Sequence, residues 1–186
     1  LASLQAFAQR QHALLQGERL APHLVRFEAT LEAEHWALSA AFTDLHADGY
    51  LHARYDDSRV GDYLATWLAH LLLCATPPAG ALASARGLSR NGEFRFRALA
   101  PESARAELQS LLALYREGLT QPVHFFPKSA WAYMLAGESV GAALTKWRGG
   151  RSAEFSEGKD PAYRLALRGE QELPDERFFE LARRIL

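Results

Sequence analysis

Apolar-polar alternation over residues 25–57 limits what this chain can fold into more than any other feature it has. Val25, Phe27, Ala29 and Leu31 fall on one side, with Arg26, Glu28, Thr30 and Glu32 on the other. A period of two is a half-buried strand and not a helix, because successive side chains of extended backbone leave on opposite faces. Ala33-Glu34-His35 interrupts the pattern, which resumes with Trp36, Leu38, Ala40 and Phe42. His46-Ala47-Asp48-Gly49 carries an Asp-Gly hairpin signal, and 50–55 reads as a third strand. The expected core is a three-stranded antiparallel meander feeding a long apolar helix over 60–74.

The remaining elements follow from local signals. Residues 1–16 form an amphipathic helix with Leu4, Phe7, Leu14 and Leu15 on one side, Ser3 as N-cap and Gly17 as stop. In the helix over 60–74, Tyr63, Leu64, Trp67, Leu68, Leu71 and Leu72 make a wide stripe expected to lie against the sheet. Arg90-Asn91-Gly92 is a second hairpin turn, flanked by strands over 82–89 and 93–98, with Phe94 and Phe96 on one face and Arg95 and Arg97 on the other. Pro101 opens and Gly118 closes a clean helix. The stretch 122–127 is extended, and helical segments follow at 129–136, 138–148, 161–167 and 175–186. Between them, 149–160 reads as an exposed Gly/Ser/charge-rich loop.

With 186 residues, 48% of them hydrophobic, and a formal net charge of -1, the chain fits one soluble α+β domain over 1–186, with 1–24 as a helical lead-in. Near-neutral charge argues against a strongly electrostatic nucleic-acid binder, though not against a local basic patch. The single cysteine, Cys74, rules out an internal disulfide and fits a reducing, cytoplasmic setting as a buried structural thiol. No run reaches the ~18 uninterrupted apolar residues of a membrane span, so no membrane association is expected. Leu1 in place of methionine, and an ending inside a helical pattern at Leu186, are expected of a piece of something longer.

A meander feeding a helix is the core of several nucleases. These place an acid at the end of the second strand and an acid-x-Lys set on the third; the acids hold Mg2+, which lowers the pKa of an attacking water. Pairing the strands by their turns puts Thr43 at the first acid, Arg54 at the second and Asp56 at the lysine. A cation in an acid position repels Mg2+. A one-residue slip offers Asp44, but such a slip also turns the side chain to the other face and supplies no lysine. The site is therefore read as degenerate, with no catalytic residue and no metal. The competing reading is a divergent active nuclease using Asp44, Asp56 or Asp57 with Lys128 or Lys159.

Other candidate chemistry is thinner. Glu157-Gly158-Lys159 spells acid-x-Lys in a loop with no strand signal, and Ser129 lacks a Gly-x-Ser-x-Gly elbow. His35, His46 and His52 belong to the meander but to no metal-binding spacing. Cations beside aromatics can hold phosphates and stack bases, which makes Arg95, Arg97, Lys128, Lys146, Trp147 and Arg148 the DNA-binding candidates, with Arg151 just beyond them.

Several runs are recognisable together. Trp67-x-x-His70-Leu71-x-x-Cys74-Ala75, Arg90-Asn-Gly-Glu-Phe-Arg-Phe96, Leu99-Ala-Pro-Glu102, Tyr115-Arg-Glu-Gly-Leu-Thr-Gln-Pro122 and Pro127-Lys-Ser-Ala-Trp131 occur in the order found in the RecC family, the gamma subunits of exodeoxyribonuclease V. Weaker similarity continues through 143–146 and 158–163. The chain from about Val25 onward thus resembles the C-terminal domain of that family.

The resemblance implies a degenerate PD-(D/E)xK, restriction-endonuclease-like core that has lost its catalytic residues. It further implies a DNA-guiding and subunit-docking role in double-strand-break end processing and homologous recombination. RecB-like and RecD-like subunits would be the partners, with double-strand ends and single strands as the DNA. The domain itself would need no cofactor, Mg2+ and ATP being used by the partner subunits. A pure protein-interaction domain without DNA contact is the third alternative.

Overall fold

The computed structural model describes residues 2–150, 156–168 and 174–186. The fold divides into two compact units, 1–113 and 114–186. The first contains helix α1 (Ala2–Leu14), strands β1 (His23–Leu31), β2 (Glu34–Phe42), β3 (Leu45–His46) and β4 (Gly49–Arg54), helix α2 (Val60–Ala75), strands β5 (Ala85–Ser89) and β6 (Gly92–Arg95), and most of helix α3 (Pro101–Gly118). The second contains α4 (Pro127–Leu135), α5 (Val140–Arg148), a 3-10 turn at Glu157–Lys159, α6 (Pro161–Ala166) and α7 (Glu176–Ile185).

The three-stranded meander is corrected. β1 and β2 pair antiparallel over their full length, Val25 opposite Ala40 and Phe27 opposite Leu38, as a two-stranded ladder of their own. The third strand joins a different sheet of order β3-β4-β5-β6, in which β3–β4 and β5–β6 are antiparallel hairpins and β4 runs parallel to β5. Thr43 and Asp44 bend the chain out of the first ladder. The free edge of β3 is then taken by the lead-in: Leu20 donates to the Leu45 carbonyl and Ala47 to the Glu18 carbonyl, both at 2.8 Å. With that edge occupied, β2 does not pair there. The parallel β4–β5 pair needs a crossover, which α2 supplies. The architecture is mixed α+β, with a connectivity different from the expected meander.

Most local elements lie where their signals put them, including the β5–β6 hairpin around Arg90 and Asn91. Two details of the helices differ. Ser3 lies inside α1, where its hydroxyl bonds Tyr55 Oη at 2.7 Å. The fully buried side of α2 carries Thr66 and the run 70–75, while Leu68 stays exposed.

The main core gathers Val25, Phe27, Phe42 and Leu45 against Leu71, Leu72 and Leu108; a smaller one joins Phe7 of α1 to Leu51 and Leu88. In the second unit Phe126, Tyr133 and Phe178 are buried, with Trp147 stacked on Phe126 at a centroid distance of 4.1 Å. Burial of such aromatic bodies dominates the energetics of a small helical unit.

Candidate functional site

Three aspartates and three arginines converge at the C-terminal end of β4. The strand delivers Arg54, the following turn Asp56 and Asp57, the first turn of α2 Asp62, and the β5–β6 turn Arg90. Arg54 Nη1 lies 3.2 and 3.3 Å from the two Asp62 oxygens, and its Nη2 lies 3.2 Å from Asp56 Oδ2. Arg59 also donates to Asp56, and Arg90 donates through Nε to Asp57 at 3.0 Å. His52 Nε2 reaches Asp62 at 3.3 Å. Backbone contacts lock the frame: Arg90 N–H donates to the Asp56 carbonyl at 2.9 Å, and Asn91 Oδ1 accepts from Ser58 N–H at 3.0 Å and Ser89 Oγ at 2.7 Å.

The electrostatics follow from these partners. The Asp57 N–H holds Asp56 below the ordinary carboxylate range against some desolvation, with help from Arg59, Arg54 and Arg90. Burial opposes ionisation of Asp62, yet the Arg59 N–H, Arg54 and His52 together keep it low as well. Each carboxylate already faces a guanidinium, so a divalent cation would have to displace an arginine to bind. Among the described residues, no group of three or more His, Cys, Asp or Glu side chains is arranged to hold a metal ion. The residues present do not fit Mg2+.

The structure brings Arg54 and Asp56 together and puts Thr43 in another cluster. There the Thr43 carbonyl accepts from Arg19 at 3.2 Å, and Asp44 pairs with Arg19 at 3.2 Å and His46 at 3.6 Å. The three meander histidines have separate partners: His46 donates to the Gly17 carbonyl, His52 faces Asp62, and His35 lies 3.2 Å from Thr30 Oγ1.

Arg95 and Arg97 are exposed along the β6 edge and the extended stretch after it. In the second unit, Lys128, Lys146 and Arg148 are exposed, while the Trp147 ring is turned inward onto Phe126 and Tyr163. Arg151 lies outside the described residues. The loop expectation at 149–160 is corrected for its described part: Ser156 and Glu157 are buried. Glu157 accepts from the Lys128 and Ser129 N–H groups at 3.0 and 2.7 Å, capping the start of α4, where a carboxylate offsets unpaired amides and the helix dipole.

Asp62, Arg59 and Arg90 escaped the sequence reading as site residues, and His52 was weighed there only as a metal ligand. Asp62 in the first turn of an apolar helix was a partial local signal, since it accepts the Arg59 N–H at 2.9 Å. The Arg90 contact, made across 33 residues, has no local signature.

Within α2 the run Trp67-x-x-His70-x-x-x-Cys74 becomes one internal stack: the Trp67 and His70 rings lie 5.7 Å apart, and Cys74 Sγ sits 3.5 Å from His70 Nε2. Those residues carried part of the resemblance, and comparison with known proteins agrees. The model of the family described as RecC C-terminal domain matches residues 1–138, including the lead-in and stopping short of the weaker segments at 143–146 and 158–163. The chain is also similar to the RecBCD enzyme subunit RecC of Escherichia coli (strain K12), 37% identical over 87 residues, which is 47% of this chain and 8% of that protein. The chain therefore spans a small fraction of the length of that relative. The family match covers well over half of the 186 residues, and the chain belongs to the RecC C-terminal domain family.

Proposed function

We propose that this chain is a non-catalytic DNA-guiding and subunit-docking domain, acting with RecB-like and RecD-like subunits in the processing of double-strand ends for recombination repair. The similar Escherichia coli protein is a subunit of the RecBCD enzyme. The observation that carries the non-catalytic part is the Arg54–Asp62 pair, with Nη1 at 3.2 Å from Oδ1. It is consistent with a degenerate PD-(D/E)xK core, since guanidinium groups rather than a metal ion neutralise the carboxylates at this strand end. Mg2+ and ATP would then belong to the partner subunits.

The competing active nuclease would use Asp44, Asp56 or Asp57 on a metal ion, with Lys128 or Lys159 beside it. Asp44 is paired with Arg19, and Asp56 and Asp57 with Arg54, Arg59 and Arg90, which disfavours that reading.

The test is cleavage of end-labelled single- and double-stranded DNA by the purified chain, with Mg2+ or Mn2+ against EDTA. No metal-dependent products are expected. Products that disappear with EDTA and with Asp44→Ala or Asp56→Ala would overturn the reading.

A further inference from the structure

A second cationic feature lies apart from the Arg54 network, between the β3–β4 turn and the edge strand β6. Register puts Arg86 of β5 directly opposite Arg95 of β6, so both side chains leave the sheet on one face. Arg97 follows two residues later in extended chain, about 7 Å further along by strand geometry. A cleft of about 680 Å³ opens between them, lined by Arg86, Arg95, Phe96, Arg97 and Asp48 among others.

The three arginines are not equivalent. Arg86 is held: its Nη2 donates to the Asp48 carboxylate at 2.8 Å and to the Asp48 carbonyl at 3.3 Å. Its Nε and Asp48 Oδ1 are buried without a hydrogen-bond partner among the described residues, so the pair is one-point rather than a two-point fork. Arg95 and Arg97 are exposed and have no ion pair among the described residues. Like charges directly opposite on neighbouring strands destabilise a sheet. Asp48 offsets Arg86, but Arg95 stands across from it with no carboxylate of its own in the cleft. Glu93, on the same face of β6, lies in the adjoining cleft beside Arg86 and Arg95.

We propose that this cleft binds the phosphodiester backbone of single-stranded nucleic acid, Arg95 and Arg97 each taking a phosphate and Arg86 acting as the fixed cation behind them. The strand spacing of Arg95 and Arg97 suits successive phosphates of an extended single strand. The Phe96 ring between them in sequence packs against Tyr63, Trp67 and His70, so recognition here is of the backbone charge and not of the bases. The assignment rests on the DNA-guiding reading above and adds to it the groove and a positioning residue, Arg86.

Fluorescence anisotropy of a labelled oligothymidylate of ~20 nucleotides, titrated with this chain over roughly 50 to 200 mM salt, tests it. Arg95→Ala with Arg97→Ala should weaken binding at least about tenfold and flatten the log-log salt slope by about 1.4, two phosphates at ~0.7 each. Asp48→Asn frees the Arg86 charge and should tighten binding by roughly threefold, a direction that loss of folding would not produce. Binding by the parent chain that the double variant retains would overturn the cleft while leaving the broader reading standing. No salt-sensitive binding by the parent chain would sink both. An oligoglutamate of equal length competing as well as the oligonucleotide would assign the cleft to acidic protein segments and overturn the proposal.

Discussion

Arg54 and Asp62 tie the end of a strand to the start of the helix that follows it. Nη1 of Arg54 lies 3.2 and 3.3 Å from the two carboxylate oxygens of Asp62, and Asp62 Oδ2 also accepts the Arg59 N–H at 2.9 Å. One largely buried carboxylate thereby joins β4 to α2 and satisfies an amide at the helix entry.

Replacing Asp62 with Asn should lower stability by about 1–2 kcal/mol, the worth of a helix-entry hydrogen bond and a charge-assisted contact. Although burial works against it, Asp62 is held below the ordinary carboxylate range by Arg59, Arg54 and His52. Its contribution is therefore complete above the unfolded value of about 3.9 and fades as pH falls through the lower folded value. Urea unfolding from roughly pH 5 down to pH 2 should show a shallower acid limb in the Asn variant. An unchanged acid limb would refute the assignment.

His70 predicts a pH dependence at higher pH. Its Nδ1 accepts the Ala85 N–H at 3.2 Å, so Nε2 carries the proton and donates to the Arg97 carbonyl at 2.9 Å. Burial lowers its pKa, against the pull of the Arg97 carbonyl. The unfolded chain then takes up protons that the folded chain refuses, so stability is full above about pH 6.5 and declines as pH falls toward the folded value. His70→Phe should flatten that decline while costing about 1–3 kcal/mol at neutral pH, since a carbonyl and an amide lose their partner. A decline of the same steepness in the Phe variant would show that other groups cause it.

The β1–β2 tip offers a stabilising change. Glu32 and Ala33, at φ 47° and 72°, occupy the two central positions of the turn in the left-handed region, which β-carbons disfavour. A two-residue hairpin loop selects such dihedrals because they match the twist of the flanking strands. Ala33→Gly should raise the urea midpoint by an amount worth about 0.5–1.5 kcal/mol. A lower midpoint would mean that the tip is not held in this conformation in solution.

Gly158 should tolerate no side chain. A β-carbon there would lie 2.8 Å from the Trp147 ring and 2.9 Å from the Trp147 carbonyl oxygen. The ring is stacked on Phe126 and the carbonyl is backbone, so neither yields cheaply. Gly158→Ala should destabilise the second unit by about 1–3 kcal/mol, as overpacked sites do. Unfolding followed by near-ultraviolet circular dichroism of the tryptophans would report it, and full stability would place the 3-10 turn away from Trp147.

Helix limits, both hairpin turns and the alternation of Phe94 and Phe96 with Arg95 and Arg97 were legible because each depends on residues within a few positions of one another. Pro101 at a helix start, the two-residue turn at Arg90 and Asn91 ahead of Gly92, and Ser139 accepting the Ala142 N–H are decisions of this local kind. The Arg54 anomaly was legible for the same reason, since counting along alternating strands fixes which residue stands near a strand end. Strand partners were not. A period of two says that 50–55 is half buried, yet it reads the same whether the neighbour is β2 or β5.

What the amino-acid order determined by itself was therefore the elements, their turns and a cation, Arg54, at the end of β4. Tertiary structure decided that β4 pairs parallel with β5, that the lead-in closes the edge of β3, and that Glu157 caps a helix begun 30 residues earlier at Pro127. Contacts between distant segments carry no local pattern. They are settled by which edges and helix ends remain unsatisfied once the apolar faces have been buried.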